Sequence, residues 1–379
     1  MNCINGFDFV GELPREITID ILSRLPILTF TRSKLVSKAW HDVVESHGCV
    51  DAHLSKHEHE CDTFFVRTSF GGSKAYKLSE EYGSSTTICR SGALAECKPL
   101  LPYSSPVKGL MLLLCPRSEV LFVCNPVTRE FVRIFCPDPF ASCVDLHPNY
   151  LDGSVSYGFG VSKKSKQYKL VYISGCCEYH VYTLGTGQWR VGPSPPIGNG
   201  RVQGRRNWAS VDGKLYWVQD MVNICCFDLE TEVFTSFPGP PSPSPLRIGC
   251  FLRRVCVLEE CLCVCDAAKS SRHNVDMLIW IMKGEGDWSL VCRIPKDKHI
   301  YKSLPIKVLG KGNIILMASR EGFGKRYYYD TNNTSTTQIG YGALASLYQQ
   351  YTYACPFNPT FVSLKTLFQH QDKDIIHSF

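Results

Sequence analysis

The sequence predicts a mainly β chain with a small α-helical start: a β-propeller of six or seven blades over residues 63–379, preceded by a helical hairpin over 1–45 and a polar connector over 46–62. Three observations carry this. Apolar residues near the beginning recur at helical spacing. From Thr63 onward, short runs rich in Val, Ile, Phe, Tyr and Leu alternate with Gly, Pro, Asn and Asp turns, which is the beat of short strands. One strand–turn–strand unit also returns at intervals of about 45 to 58 residues, close to the roughly 40–50 of propeller blades.

Residues 13–44 contain Leu13-Pro14-Arg15-Glu16-Ile17, Ile21-Leu22-Ser23-Arg24-Leu25-Pro26 and Lys34-Leu35-Val36-Ser37-Lys38-Ala39-Trp40. Ile17, Ile21, Leu22 and Leu25 make one apolar stripe. Pro14 suits a first helical position, and Pro26 ends the helix from the far side. Thr29 can cap a second helical stretch, where Val36, Trp40, Val43 and Val44 share a face with Leu35 and Ala39 beside them. Two or three short helices of about 35 residues cannot hide this much apolar surface among themselves. They must dock, either on the rest of the chain or on a separate protein.

The same residues resemble the F-box, the adaptor-binding module of cullin-based ubiquitin ligases: Leu-Pro, then Ser-Arg-Leu-Pro, then Val-Ser-Lys-x-Trp, in order and at the family's spacing. The resemblance implies that the helices bind a Skp-type adaptor, and through it a cullin. It assigns that surface to Leu13, Pro14, Ile17, Ile21, Leu22, Leu25, Pro26, Leu35, Val36 and Trp40. Phe30 stands where the family more often has Leu, and Ser37 where plant members often have Cys. Neither departure removes an apolar contact.

The connector holds His47, His53, His57 and His59, with His41 just before it and Glu58 and Glu60 interleaved. A His cluster can bind metal, but the polar context favours a solvated link. Beyond it the repeated unit runs a strand into an Asx or Gly turn and then into a second strand with an aromatic. Its copies lie around Leu121 to Phe131, Val181 to Arg190, Cys226 to Phe234, Ile279 to Trp288, and Tyr328 to Asn333. An Asn or Asp side chain accepts hydrogen bonds from backbone just beyond it, and the aromatic packs on the next sheet. Radial four-stranded sheets bury every strand face and leave only short edges. The Pro-rich pieces, 192–197 and 238–245, read as loops between blades, with ligands for polyproline-binding modules as the alternative.

This region also resembles a known domain. Val107-Lys108-Gly109-Leu110, Asn125-Pro126-Val127-Thr128-Arg129-Glu130, Tyr157-Gly158-Phe159-Gly160, Gly213-Lys214-Leu215-Tyr216-Trp217 and Phe227-Asp228-Leu229-Glu230-Thr231-Glu232 look like the F-box-associated, kelch-like domain of plant F-box proteins. The double-glycine strand of strict kelch repeats is missing, so the blades are expected to be kelch-like.

Composition narrows the functional classes. At 379 residues, 44% hydrophobic and 20% charged, the chain can bury a large core and is not of disordered type. No apolar run approaches the ~20 residues that span a bilayer, and residues 1–10 lack the pattern of a secretory signal. No membrane association is expected. Twenty cysteines without a signal suit reduced thiols in the cytoplasm or nucleus. Paired zinc-type spacings do not occur, although Cys261, Cys263 and Cys265 alternate along one strand and leave a soft-metal or redox site open. A net charge of +6 over this length is not the concentrated basic stripe of a nucleic-acid binder, and Lys163, Lys164, Lys166 and residues 201–206 read as loop tips.

No nucleophile elbow, Walker loop or His-Glu-x-x-His segment occurs. Gly322-Phe323-Gly324-Lys325 lacks a following helix, and Tyr327 to Tyr329 reads as packing. The expectation is therefore a non-catalytic chain with no cofactor. It would be the substrate receptor of a Skp-cullin-F-box ubiquitin ligase, docking on the adaptor and binding an unidentified target protein through the propeller. An adaptor-binding module without ubiquitin transfer, or a propeller enzyme, are the alternatives. For the target surface the loop with Arg201, Arg205, Arg206 and Trp208 is singled out, because charge there lies beside an aromatic.

Overall fold

The computed structural model of the chain describes residues 13–57, 63–67, 73–78, 85–91, 101–102, 105–115, 120–136, 155–174, 179–192, 208–219, 221–241, 251–268, 276–295, 303–308, 314–318, 326–339, 353–368 and 376–378. It begins with four helices, α1 (Arg15–Ser23), α2 (Ile27–Ser33), α3 (Lys38–Glu45) and α4 (His47–Lys56). The expected link over 46–62 is thus corrected in its first part: His47–Lys56 is a helix packed on α1. Its polar look hides one buried side, where Cys49 and His53 face the other helices. Thr29 lies inside α2 and caps nothing; Pro26 is the residue that precedes that helix. Ser37 caps α3 instead, its side chain accepting from the Trp40 N–H at 3.2 Å.

Six antiparallel sheets follow among the described residues. The first holds β1 (Thr63–Arg67), β2 (Ser73–Leu78) and β3 (Ser85–Ser91). The second holds β4 (Leu101–Pro102), β5 (Met111–Cys115), β6 (Val120–Asn125) and β7 (Glu130–Phe135). The third comprises β8 (Val155–Val161), β9 (Tyr168–Ser174), β10 (Tyr179–Thr183) and β11 (Trp189–Val191). The fourth is β12 (Ala209–Val211), β13 (Lys214–Gln219), β14 (Asn223–Asp228) and β15 (Phe234–Pro238). The fifth is β16 (Phe251–Leu258), β17 (Cys261–Ala268), β18 (Met277–Gly284) and β19 (Asp287–Ile294). The sixth is β20 (Ser303–Val308), β21 (Ile314–Ala318), β22 (Arg326–Asp330) and β23 (Ser335–Ile339).

The chain then returns to the beginning. β24 (Tyr353–Pro356) pairs antiparallel with β1 and supplies the fourth strand of the first sheet. Beyond the short helix α5 (Leu364–Leu367), β25 (Ile376–Ser378) adds a fifth strand to the outer edge of β7. The architecture is a propeller of six sheets, the first of which is completed by a strand from late in the chain.

Alternating residues on each strand fill the seams between sheets, as the two-residue period of a strand requires. On β9, Leu170 and Tyr172 face the second sheet, while Val171 and Ile173 face the fourth. On β17, Leu262 and Val264 face the fourth sheet, while Cys263 and Cys265 face the sixth, with Tyr327 and Tyr329. On β8, Tyr157 and Phe159 fill one seam; a Cβ at Gly158 or Gly160 would lie 2.5 Å from Trp208 or Leu229 across the other. The Tyr-Gly-Phe-Gly pattern therefore marks a strand that is bulky toward one neighbour and bare toward the next.

The repeated unit is the hairpin between third and fourth strands. Asn125 accepts from the Val127 N–H at 2.9 Å, Asp228 from Glu230 and Thr231, and Asp330 from Asn332 and Asn333. Asn125 does more, since its side-chain amide also donates to the Thr360 and Val362 carbonyls at 3.0 and 2.8 Å. Converting Asn125 to Asp keeps the turn acceptor but sets a carboxylate against two carbonyl oxygens, whereas Asp228→Asn keeps an acceptor oxygen in a half-buried turn. In chemical denaturation, N125D is expected to lose about 1–3 kcal/mol and D228N well under half of that. Equal losses would contradict this reading.

Candidate protein-docking surface

The helical module divides its apolar residues between two sides. Leu22, Phe30, Val44 and Cys49 are buried together, and Ile19, Leu25, Ile27, Trp40, Val43 and Val50 pack around them half-buried. The stripe expected from Ile17, Ile21, Leu22 and Leu25 is thus split. Leu22 belongs to the inner core, and Leu25 closes its edge. Ile17 and Ile21, one turn apart, face outward with 47% and 41% of their surface exposed. The turn between α2 and α3 carries the most open apolar pair, Leu35 at 85% and Val36 at 61%. Pro14 and Pro26 are also exposed and Leu13 is half-buried. Large aliphatic side chains so open on a small module make this side a candidate interaction surface.

An exposed ion-pair cluster flanks this outer side. Asp20 on α1 accepts from Arg24 Nε at 3.1 Å and from Lys56 Nζ at 2.5 Å, and Lys56 also reaches Ser23 Oγ at 2.7 Å. The Arg24 and Lys56 hydrogen bonds hold the Asp20 carboxyl down at about 2. Because that group is depressed in the folded chain, its support is whole above the ordinary carboxylate range and is lost as pH falls toward about 2. His53 and His57 stack at 4.3 Å on the inner side of α4, their Nε2 atoms 3.0 and 3.1 Å from the Leu25 and Ser23 carbonyls. These two histidines therefore order the end of α1.

One member of the module's core comes from elsewhere. Phe361, in the segment after β24, is 7% exposed. Its ring centroid lies 5.0 Å from that of Phe30, and Lys34 Nζ sits 4.8 Å above its face. Val127, in the β6–β7 turn, joins the same cluster. Asn358 donates to the His57 carbonyl at 3.1 Å, and Thr360 to the Lys108 carbonyl at 3.0 Å. Glu130 accepts from Ser363 Oγ and from the Leu364 N–H at 2.6 Å. A Cβ at Gly109, where φ is +79°, would lie 2.0 Å from Thr360 Oγ1. The helices are thereby fixed to the second sheet at the end of the ring that bears the first-to-second and third-to-fourth strand turns. Nothing in the periodicity of 357–363 announces this role.

The expected target loop fares differently. Arg201, Arg205 and Arg206 lie outside the described residues. Trp208 is not a surface aromatic: it is 3% exposed, packs against Trp217 with ring centroids 4.4 Å apart and donates to Ser156 Oγ at 2.5 Å. It seals the seam between the third and fourth sheets. Cys263 and Cys265 are buried, and burial pushes both thiols up to about 12. Among the described residues no group of three or more His, Cys, Asp or Glu is placed to hold a metal ion. The second Pro-rich piece begins under restraint, since Arg253, paired with Asp266 at 2.7 Å, also donates to the Pro240 and Pro241 carbonyls.

Comparison with known proteins matches both parts of the chain to known families. Residues 10–54 match the F-box-like family, and residues 104–364 match the F-box associated beta propeller domain. An F-box/kelch-repeat protein of Arabidopsis thaliana is 24% identical over 358 residues, which cover 85% of this chain and 91% of the relative. An F-box/LRR-repeat protein of the same plant is 26% identical over 265 residues, 63% of this chain and 57% of the relative. Another Arabidopsis thaliana relative of the F-box class, 26% identical over 72% of this chain, is likewise spanned for only 59% of its length. Among solved structures, AofleA from Arthrobotrys oligospora covers 78% of this chain and is itself covered for 90%, at 10% identity and a TM-score of 0.41. The chain belongs to the F-box proteins that carry an F-box associated β-propeller domain.

The two sides of α1 respond differently to truncation. Leu22→Ala is expected to cost about 2–5 kcal/mol in denaturant unfolding, because it opens a cavity in the module. Ile21→Ala, one residue away, is expected to cost less than about 1 kcal/mol. Similar losses would mean that Ile21 is a core residue.

Proposed function

We propose that this protein is the substrate-recognition subunit of a Skp-cullin-F-box ubiquitin ligase. The F-box helices dock on a Skp-type adaptor, and the propeller holds a target protein. The observation that carries this reading is the exposure of Leu35 and Val36, with Ile17 and Ile21, on a module whose inner core is complete without them. A partner that covers a Leu or Val side chain gains about 1.5–3 kcal/mol for each, enough to make these positions anchors of an interface.

The chain's own role is geometric. A tethered target sees a raised local concentration of the ubiquitin-charged enzyme, so that no residue of this chain takes part in bond-making. The fixed seat of the helices supports a target site at the other end of the ring, where second strands turn into third strands and each sheet leads to the next. The twenty cysteines suit action in the cytoplasm or nucleus.

Calorimetric titration of the full-length protein with a purified Skp-type adaptor tests the docking step. Leu35→Asp and Val36→Asp are each expected to weaken binding by at least ~30-fold while leaving the unfolding transition in place. Unchanged affinity would remove the assignment of this surface. Co-purification of a cullin with the adaptor is expected; adaptor without cullin would favour an interaction module that transfers no ubiquitin.

A further inference from the structure

The residue that completes the helical core lies just beyond the strand that closes the ring. β24 occupies the vacant place beside β1, with Ala354 opposite Val66 and Cys355 opposite Phe65. A few residues later Phe361 enters the core of Leu22, Phe30, Val44 and Cys49. Between them Asn358 holds the His57 carbonyl at the end of α4, and Thr360 holds the Lys108 carbonyl in the second sheet. Asn125 binds the carbonyls on both sides of Phe361, those of Thr360 and Val362. Phe361 therefore has no independent route into the helices. Its backbone is positioned by β24 on one side and by the second sheet on the other.

We infer that β24 and Phe361 form a latch that couples closure of the propeller to assembly of the helical module. A module of about 45 residues is marginal by itself, and this one draws a fully packed aromatic from beyond residue 356. A chain whose ring has not closed has no β24 in place and leaves Phe30 and His53 without their cover. The docking surface of α1 and the α2–α3 turn is then carried on loosened helices. The consequence for function rests on the adaptor reading above: only a chain with a finished propeller recruits the adaptor well, and incomplete receptors are kept from occupying it.

The latch is tested without any adaptor. Hydrogen exchange is followed peptide by peptide in the full-length chain for wild type, Phe361→Ala, Phe361→Leu and Cys355→Pro. F361A is expected to speed exchange in α2 and α4 at least ten-fold while the third to fifth sheets keep their protection, and F361L, which retains most of the apolar volume, to fall between. Pro356, which has no N–H, stands opposite Phe64, so in the alternating ladder Cys355 is a residue whose N–H faces β1. C355P touches no residue of the module but interrupts the β24–β1 ladder, and it is expected to loosen the same helices. The inference is overturned if F361A leaves the helices within two-fold of wild type, or if C355P loosens β1 alone. It is also overturned if F361A loosens every sheet equally, which would make Phe361 a general core residue. In titrations, both F361A and C355P are expected to bind the Skp-type adaptor at least ten-fold more weakly than wild type. A wild-type chain that binds no adaptor would remove the functional reading and leave the exchange result standing.

Discussion

The aromatic contact between Phe361 and Phe30 joins two parts of the chain that have separate reasons to exist. The helices have more apolar surface than their own small core can cover. Part of that surplus meets Phe361 and Val127, and part, on Ile17, Ile21, Leu35 and Val36, stays in water. Without the first contact the second would be an ill-defined patch on a marginal helical bundle. With it, the patch has a fixed place on a propeller.

The hydrogen bonds around Phe361 give that contact its direction. Asn125 and Glu130 stand at the two ends of one hairpin turn, and both are buried. Asn125 binds carbonyls on either side of Phe361, and Glu130 accepts from the backbone N–H at the start of α5. Buried polar groups must be satisfied or they cost stability. These partners therefore lock the path of 357–364 more strictly than apolar packing could. The propeller acts as a jig that sets where the docking module points.

Much of this was legible in the residues. The change from helical to strand periodicity near Thr63 separates the two parts, and the Asx turn at Asn125, Asp228 and Asp330 identifies the outer hairpin of three sheets. What escaped was long-range. The stripe through Ile17, Ile21, Leu22 and Leu25 is real, but spacing cannot say that Leu22 points inward while Ile21 points out. The His-rich run 47–57 looked solvated because its buried side consists of Cys49 and His53, which a hydropathy pattern does not reward. Trp208 looked available beside three arginines, yet the bare backbone of Gly158 in the neighbouring strand makes room for its ring. Phe361 is separated by some 330 residues from the Phe30 it touches, and no local signal spans that distance.

The account rests on the outer side of the F-box module being the side that meets the adaptor. Hydrogen exchange of the full-length protein with and without a Skp-type adaptor measures this directly. Protection is expected in α1 and in the turn bearing Leu35 and Val36, with little change in α4 or in residues 357–368. Protection confined to α4 and 357–368, or no protection anywhere in the helices, would contradict it.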